Sequence, residues 1–177
     1  MAVGAAGDGK RPTTVDLKFD GDTGEPIWTA QNDNVMGGVS KGDAVIRGGL
    51  LHFTGSLSFE NNGGFAQVRI RNLGYDLSGK KGVRMKVMGD GRTYQFRIAT
   101  NDRHRGSRIA YSAGFPTKAG EWGEVVVAFA DLKPTHHGKE LDGPPADLTQ
   151  VEEISLLIGD KREGAFSLAV DWIRTEP

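Results

Sequence analysis

Five segments of the chain alternate apolar and polar residues with a period of two. In "GVRMKVMG", Val83, Met85 and Val87 share one face, opposite Arg84 and Lys86. "RTYQFRIAT" sets Tyr94, Phe96 and Ile98 against Gln95 and Arg97, and "FAQVRIR" sets Ala66, Val68 and Ile70 against Gln67, Arg69 and Arg71. "GEVVVAFADL" groups Val125, Val127 and Phe129, and "AFSLAVDWIR" groups Phe166, Leu168, Val170 and Trp172 opposite Ser167, Ala169 and Asp171. Successive side chains of a strand point to opposite faces, so each segment is expected to be a strand with one buried and one wet face. Helical spacing is nearly absent. Further strands are expected at "VDLKF", "AVIR", "LLHF", "IAYSA" and "EISLLIG", for about ten in all, at the spacing of an all-β sandwich or barrel.

The turns fit the same reading. The chain has 26 glycines in 177 residues, about twice the average share, dispersed with no repeat. Gly48-Gly49 predicts a hairpin, and Asp90-Gly91 a second one. Residues 133–150, with Pro134, Pro144 and Pro145, read as a long surface loop. Within it "DLTQVEE" predicts one helical turn capped by Asp147 or Thr149. No linker divides the chain, so a single domain is expected over 15–177, after a disordered tail over 1–14.

Composition excludes several function classes. Lys and Arg number 22 against 23 Asp and Glu, for a net charge of -1, which gives no electrostatic footprint for nucleic acid. No apolar run approaches the roughly 18 residues of a spanning helix, so no membrane insertion is expected. Cysteine is absent, which removes thiolate catalysis, disulfides and thiolate metal sites. The first residues lack the apolar core of about 7–15 residues that marks a signal peptide. The expected location is cytoplasmic, or extracytoplasmic if a signal peptide has been removed.

Few residues suggest catalysis. Gly38-Val39-Ser40-Lys41-Gly42 matches G-x-S-x-G, but a nucleophile elbow needs a helix after it, and "DAVIRGGLLHF" reads as a hairpin. Ser40 is therefore expected in a structured loop, with a serine hydrolase the weakest alternative. His136 and His137 could hold a metal with Glu140 or Asp142, yet a polar loop explains them as well. His52 is expected on a strand, facing solvent or a neighbouring strand. Asp20, Asp22, Gly24 and Glu25 resemble half of a calcium loop without its remaining positions. A structural calcium stays open there; no other cofactor is expected. "NDRHRGSR" gathers Arg103, Arg105, Arg108 and His104 into one basic loop.

The amide-rich stretches "QNDN" and "ENNGGF" carry the stronger signal. Such loops fold through side-chain to backbone hydrogen bonds, and their amides both donate and accept toward a ligand. Arg69 and Arg97, on wet strand faces, could add charge-assisted contacts. Sugar platforms rely on exposed aromatics; Trp28 and Trp122 are the candidates for exposure. Asp171 is expected to make a salt bridge, to anchor the first strand, or to ligate a cation.

"WTAQNDNVMGGVSKG", "FTGSLSFENNGGFAQVR", "GDGRTYQFRI" and "LLIGDKREGAFSLAVDWI" occur in order from about Phe19 to Arg174. Together they resemble the complex I intermediate-associated protein 30 family. The resemblance implies a galactose-binding-like β-sandwich of jelly-roll type, no catalytic residue set, and a role in assembling a larger respiratory-type complex with a protein partner. The runner-up is a carbohydrate-binding module. The family signature falls on Asn32, Asp33, Asn34, Val35, Met36, Gly37, Gly38, Val39 and Ser40, and on Glu60, Asn61, Asn62, Gly63, Gly64 and Phe65. The candidate binding set is Asn32, Asp33, Asn34, Met36, Gly37, Gly38, Ser40, Glu60, Asn61, Asn62, Arg69 and Arg97. The two blocks are expected to meet at one edge of the sandwich and to brace each other through Asn34 and Asn62.

Overall fold

The alternating segments pair into two antiparallel sheets that close on one another. The structure, a computed structural model, describes residues 9–20, 27–136 and 138–177. Along them run β1 (Asp16–Lys18), β2 (Thr29–Ala30), β3 (Lys41–Arg47), β4 (Leu50–Leu57), β5 (Ala66–Ile70), β6 (Gly82–Met88) and β7 (Thr93–His104). There follow β8 (Ser107–Pro116), β9 (Trp122–Ala128), β10 (Lys133–His136), β11 (Lys139–Glu140), β12 (Glu153–Ile158) and β13 (Gly164–Glu176). One sheet has six strands, ordered β3-β4-β13-β6-β9 with β1 also on β13; the other has seven, ordered β11-β10-β8-β7-β12-β5-β2. Among the described residues no helix is long and apolar enough to cross a membrane.

β13 organises the six-stranded sheet. β6 runs along one side of it, while β4 and β1 divide the other side between them. Leu51, Phe53, Val83, Met85, Leu168, Val170 and Ile173 point inward from this sheet and are buried against Val68, Ile70, Tyr94, Phe96, Ile98, Ile154 and Leu156 of the other. Phe53 and Phe166 meet edge to face, with ring centroids 4.9 Å apart. Burial of these inner faces is the main force holding the layers together.

Four local expectations need correction. Trp172 does not join Phe166, Leu168 and Val170 on the inner face. The ladder to β6 slips between Val170 and Trp172, and this β-bulge shifts the alternation by one residue. Ile173 takes the buried position and Trp172 turns outward. Asp90-Gly91 is not a hairpin but a corner between the sheets. Asp90 accepts hydrogen bonds from Tyr94 Oη at 3.1 Å and from the Ser167 amide at 2.8 Å, so its turn is tied across to β13. The basic loop is a hairpin extension of β7 and β8, turning at Arg105-Gly106 with positive φ of 49° and 83°. The loop over 133–150 is partly strand, because β10 pairs with β8 and β11 pairs back on β10.

Other features follow the sequence. Gly48-Gly49 turns β3 into β4 with φ of 62° and 76°. A 3-10 turn covers Leu148–Gln150, and the Asp147 carboxylate accepts from the Thr149 amide. His52 lies on β4, half-buried beside Val45 and Ala169. Residues 9–14 carry no strand, yet Pro12 O accepts from the Asp76 amide and Arg11 pairs with Glu152 at 3.2 Å. Asp171 forms an ion pair with Lys86 at 3.7 Å; the first strand is held instead by Asp16 and Arg174 at 3.3 Å.

Arg92 closes the turn between β12 and β13, a role the sequence did not announce. Its guanidinium grips Asp160 with two bonds, of 2.9 and 2.6 Å, and donates to the carbonyls of Arg162, Gly164 and Ala165. That hydrogen bonding holds the Asp160 carboxyl below the usual range and the Arg92 guanidinium above its own. Removing one partner of a buried pair strands the other, at a cost of about 3–5 kcal/mol. Arg92→Ala should lower unfolding stability by about that amount in a urea titration, while the exposed Arg162→Ala should change it by less than about 0.5 kcal/mol.

Candidate functional site

Backbone pairing brings the two asparagine-containing blocks together. β2 runs antiparallel to β5, with Thr29 opposite Arg69 and Ala30 opposite Val68. The pairing continues past the strand: the Gln31 amide donates to Gln67 O at 2.8 Å and the Asp33 amide to Phe65 O at 3.3 Å. The first block then coils into a 3-10 turn over Asp33–Met36, which Gly37 ends at φ 87°.

Asp33 is the hub. It is 1% exposed, and its carboxylate accepts from both blocks. Oδ1 takes the Ser40 amide at 3.0 Å; Oδ2 takes the Gly64 amide at 2.7 Å and the Phe65 amide at 3.3 Å. Burial alone would raise its pKa, but hydrogen bonds from Ser40, Gly64 and Phe65 outweigh that and hold it below the ordinary carboxylate value. Two glycines make room. A methyl at Gly38 would fall 2.4 Å from Asp33 Cγ, and one at Gly63 2.5 Å from Oδ2.

A second bridge lies beside the first. Ser40 Oγ donates to Ser58 O at 3.1 Å and accepts from the Ser58 amide at 2.9 Å. The hydroxyl is thus engaged in both directions, and β3, not a helix, follows it. Ser40 sits as a structural serine. Asn32 Nδ2 reaches Gly42 O at 3.0 Å. The blocks do brace each other, as expected, but not through Asn34 and Asn62. Both are exposed and neither bonds across the blocks. The deep position between the loops suits a carboxylate, which accepts several amides at once, better than an amide whose own N–H groups would then lack acceptors. Asn61 and Asn62 instead supply left-handed backbone, at φ 55° and 60°, beside the exposed Glu60.

Arg69 and Arg97 stand in a polar network on the outer face of the seven-stranded sheet, in line with Ser155 on β12 between them. Arg97 Nη1 donates to Gln67 Oε1 at 2.6 Å and Nη2 to Thr135 Oγ1 at 3.4 Å; Gln67 Nε2 donates in turn to Gln31 Oε1 at 3.4 Å. Arg69 lies 3.7 Å from Glu153. Burial pulls both guanidinium groups below their ordinary pKa, opposed by the Glu153 charge, while Arg71 and Arg108 push Arg69 further down. The arginines are less wet than expected, and the row links Arg97 through Gln67 to Gln31 of the first block. Gln67, Thr135 and Glu153 escaped the sequence reading; their only signal is the polar phase of the alternation.

The bridged loops hold apolar side chains out in solvent. Val35 is 62% exposed, Val39 44% and Phe59 45%, and they flank Asp33, Ser40 and Ser58 in sequence. The Phe59 amide is itself fixed by Glu163 at 2.8 Å. Among the described residues no group of three His, Cys, Asp or Glu could hold a metal. Asp22, Gly24, Glu25 and His137 lie outside the described residues. Trp28 is buried against Phe19, with ring centroids 6.1 Å apart, so only Trp122 of the two candidate tryptophans is exposed.

Loss of the Asp33 carboxylate would leave three backbone donors without acceptors, at about 1–3 kcal/mol each. Asp33→Ala should cost at least about 3 kcal/mol, read as a melting-temperature drop of roughly 6–12 °C for a domain of this size. Asn34→Ala should change it by little. Because the folded pKa of Asp33 lies below the unfolded one, its stabilisation is complete above about pH 4 and is lost as pH falls through the folded value. Acid titration of stability should therefore be shallower for Asp33→Asn than for the parent chain.

The geometry can be set beside known proteins. A family 11 carbohydrate-binding module of the cellulosomal cellulase Lic26A-Cel5E of Clostridium thermocellum superposes with a TM-score of 0.68 at 11% identity, covering 95% of this chain and 97% of that one. A family 30 carbohydrate-binding module gives a TM-score of 0.58 at 15% identity, covering 92% and 99%. The agarase AgWH50C gives 0.60 at 16% identity over 92% of this chain but 24% of that one. At such identities these likenesses establish a shared galactose-binding-like β-sandwich and no more. No curated protein matches the chain. A family profile does, over residues 17–170, which takes in both bridged blocks and the arginine row. The chain belongs to the Complex I intermediate-associated protein 30 (CIA30) family.

Proposed function

We propose that this protein is a non-catalytic binding protein that assists assembly of a larger, respiratory-type membrane complex by docking a protein intermediate on its bridged loops. The observation behind the reading is the pairing of a rigid support with an exposed apolar rim: Asp33 and Ser40 lock the backbone, and Val35, Val39 and Phe59 stand out from it. Apolar side chains presented on a pre-ordered loop lose little entropy on docking, which favours a protein surface as partner. Asn34, Glu60, Asn61 and Asn62, exposed in the same two blocks, supply the polar groups of an interface rim. The family supports the direction of this reading, since its name describes association with an assembly intermediate.

The test uses the native host. Membranes from cells lacking the protein, resolved on native gels, should show a respiratory complex arrested as a smaller intermediate. The parent chain should restore assembly. A Val35→Asp/Phe59→Asp chain, folded with an unchanged melting temperature, should not. Normal complexes in the deleted cells, or full rescue by the double variant, would overturn the reading.

A further inference from the structure

The opposite face of the sandwich carries a feature that docking on the loops does not use. Trp122, Lys86, Gly123, Glu124 and Trp172 line a shallow depression of about 400 Å³ on the outside of the six-stranded sheet. Three adjacent strands build it. Lys86 on β6 lies opposite Glu124 of β9 on one side and opposite Trp172 of β13 on the other, while Trp122 lies opposite Met88. Trp172 reaches this face only because of the bulge at Asp171. Without the extra residue the alternation would carry its indole inward.

From these observations we infer that the depression is a binding site for a neutral carbohydrate, a short oligosaccharide presented ring-face down. Trp122 is 42% exposed, an unusual placement for a large aromatic on a sheet with an ample core to fill. An exposed indole offers an apolar face to the C–H side of a sugar ring. Around it stand both kinds of hydrogen-bonding group that hydroxyls need: the Lys86 ammonium as donor and the Glu124 carboxylate as acceptor. Lys86 is held in place, 6.0 Å from the Trp122 ring centroid and 3.7 Å from the Asp171 carboxylate. Arg174 stacks over Trp172 at 4.3 Å and steadies the second indole.

Charge and size select the ligand class. The charges in and around the lining are each matched, Lys86 by Asp171, Glu124 by Arg84 at 4.0 Å and Arg174 by Asp16, so neither a polyanion nor a cationic peptide gains from the site. A volume of about 400 Å³ falls in the range of small-molecule sites, roughly 300–1,000 Å³. A stable protein interface needs about 800 Å² per partner, far more than this patch offers.

Isothermal titration with soluble neutral tetrasaccharides of glucose, mannose, xylose and galactose tests the inference, with galacturonic acid tetrasaccharide as the charged control. At least one neutral sugar should bind saturably and shift the tryptophan fluorescence. Trp122→Ala should weaken binding by about tenfold or more with an unchanged melting temperature. Should that variant fold poorly, Glu124→Ala, on the same open face, serves in its place. The Val35→Asp/Phe59→Asp chain should keep full sugar affinity, which separates this site from the loop surface. No binding of any neutral tetrasaccharide at millimolar concentration, preference for the charged control, or equal binding by Trp122→Ala or Glu124→Ala would overturn it.

Discussion

One buried carboxylate holds the signature region together. Asp33 accepts backbone N–H groups from Ser40 on its own loop and from Gly64 and Phe65 on the other. Charged hydrogen bonds of this kind are roughly twice as strong as neutral ones, and burial shields them from water. Much else follows from that arrangement. Gly38 and Gly63 must lack side chains because a methyl at either would strike the carboxylate. Ser40 must stop at a hydroxyl that fits against Ser58. The first block must lie along β5, which places Gln31 where it joins the row running through Gln67 to Arg97. Exposed Val35, Val39 and Phe59 are then consequences of a scaffold whose interior is already filled.

The molecule uses its two sheets differently. The seven-stranded sheet has a polar outer face in which Arg97 donates to Gln67 and Thr135 and Arg69 lies beside Glu153, while the Nε of each arginine is buried without a hydrogen-bond partner among the described residues. The six-stranded sheet has an outer face where two tryptophans stand among charges, Trp122 by the regular alternation of β9 and Trp172 by a single bulge in β13. Both faces rest on the same apolar interior, so substitutions outside can alter recognition without altering the fold.

The period-two pattern made most of the architecture legible. Inward positions such as Val83, Met85, Tyr94, Phe96, Val68 and Ile70 are buried as expected. The pattern failed where a rule of local spacing was interrupted. Trp172 was misplaced because a bulge leaves no trace in polarity when Asp171 sits beside an amphipathic indole. Asp90-Gly91 has hairpin chemistry, but its carboxylate is drawn across the sandwich to Ser167, a contact 77 residues away in the chain. β2, β10 and β11 are too short to show alternation at all. At the site, the sequence located the two blocks and their meeting but assigned the bracing to amides. Nothing in "QNDN" distinguishes the one side chain that turns inward. What decides it is the number of amides converging on a single point, and that number exists only in three dimensions.

Titration of the Asp33 carboxyl by carbon-detected NMR, with the amides of Ser40, Gly64 and Phe65 followed in the same samples, addresses the central claim directly. The account predicts a midpoint below the ordinary aspartate value of about 3.9, with all three amide protons moving upfield together as the carboxyl takes up its proton. A midpoint at or above that value, or three amides that ignore the titration, would contradict it.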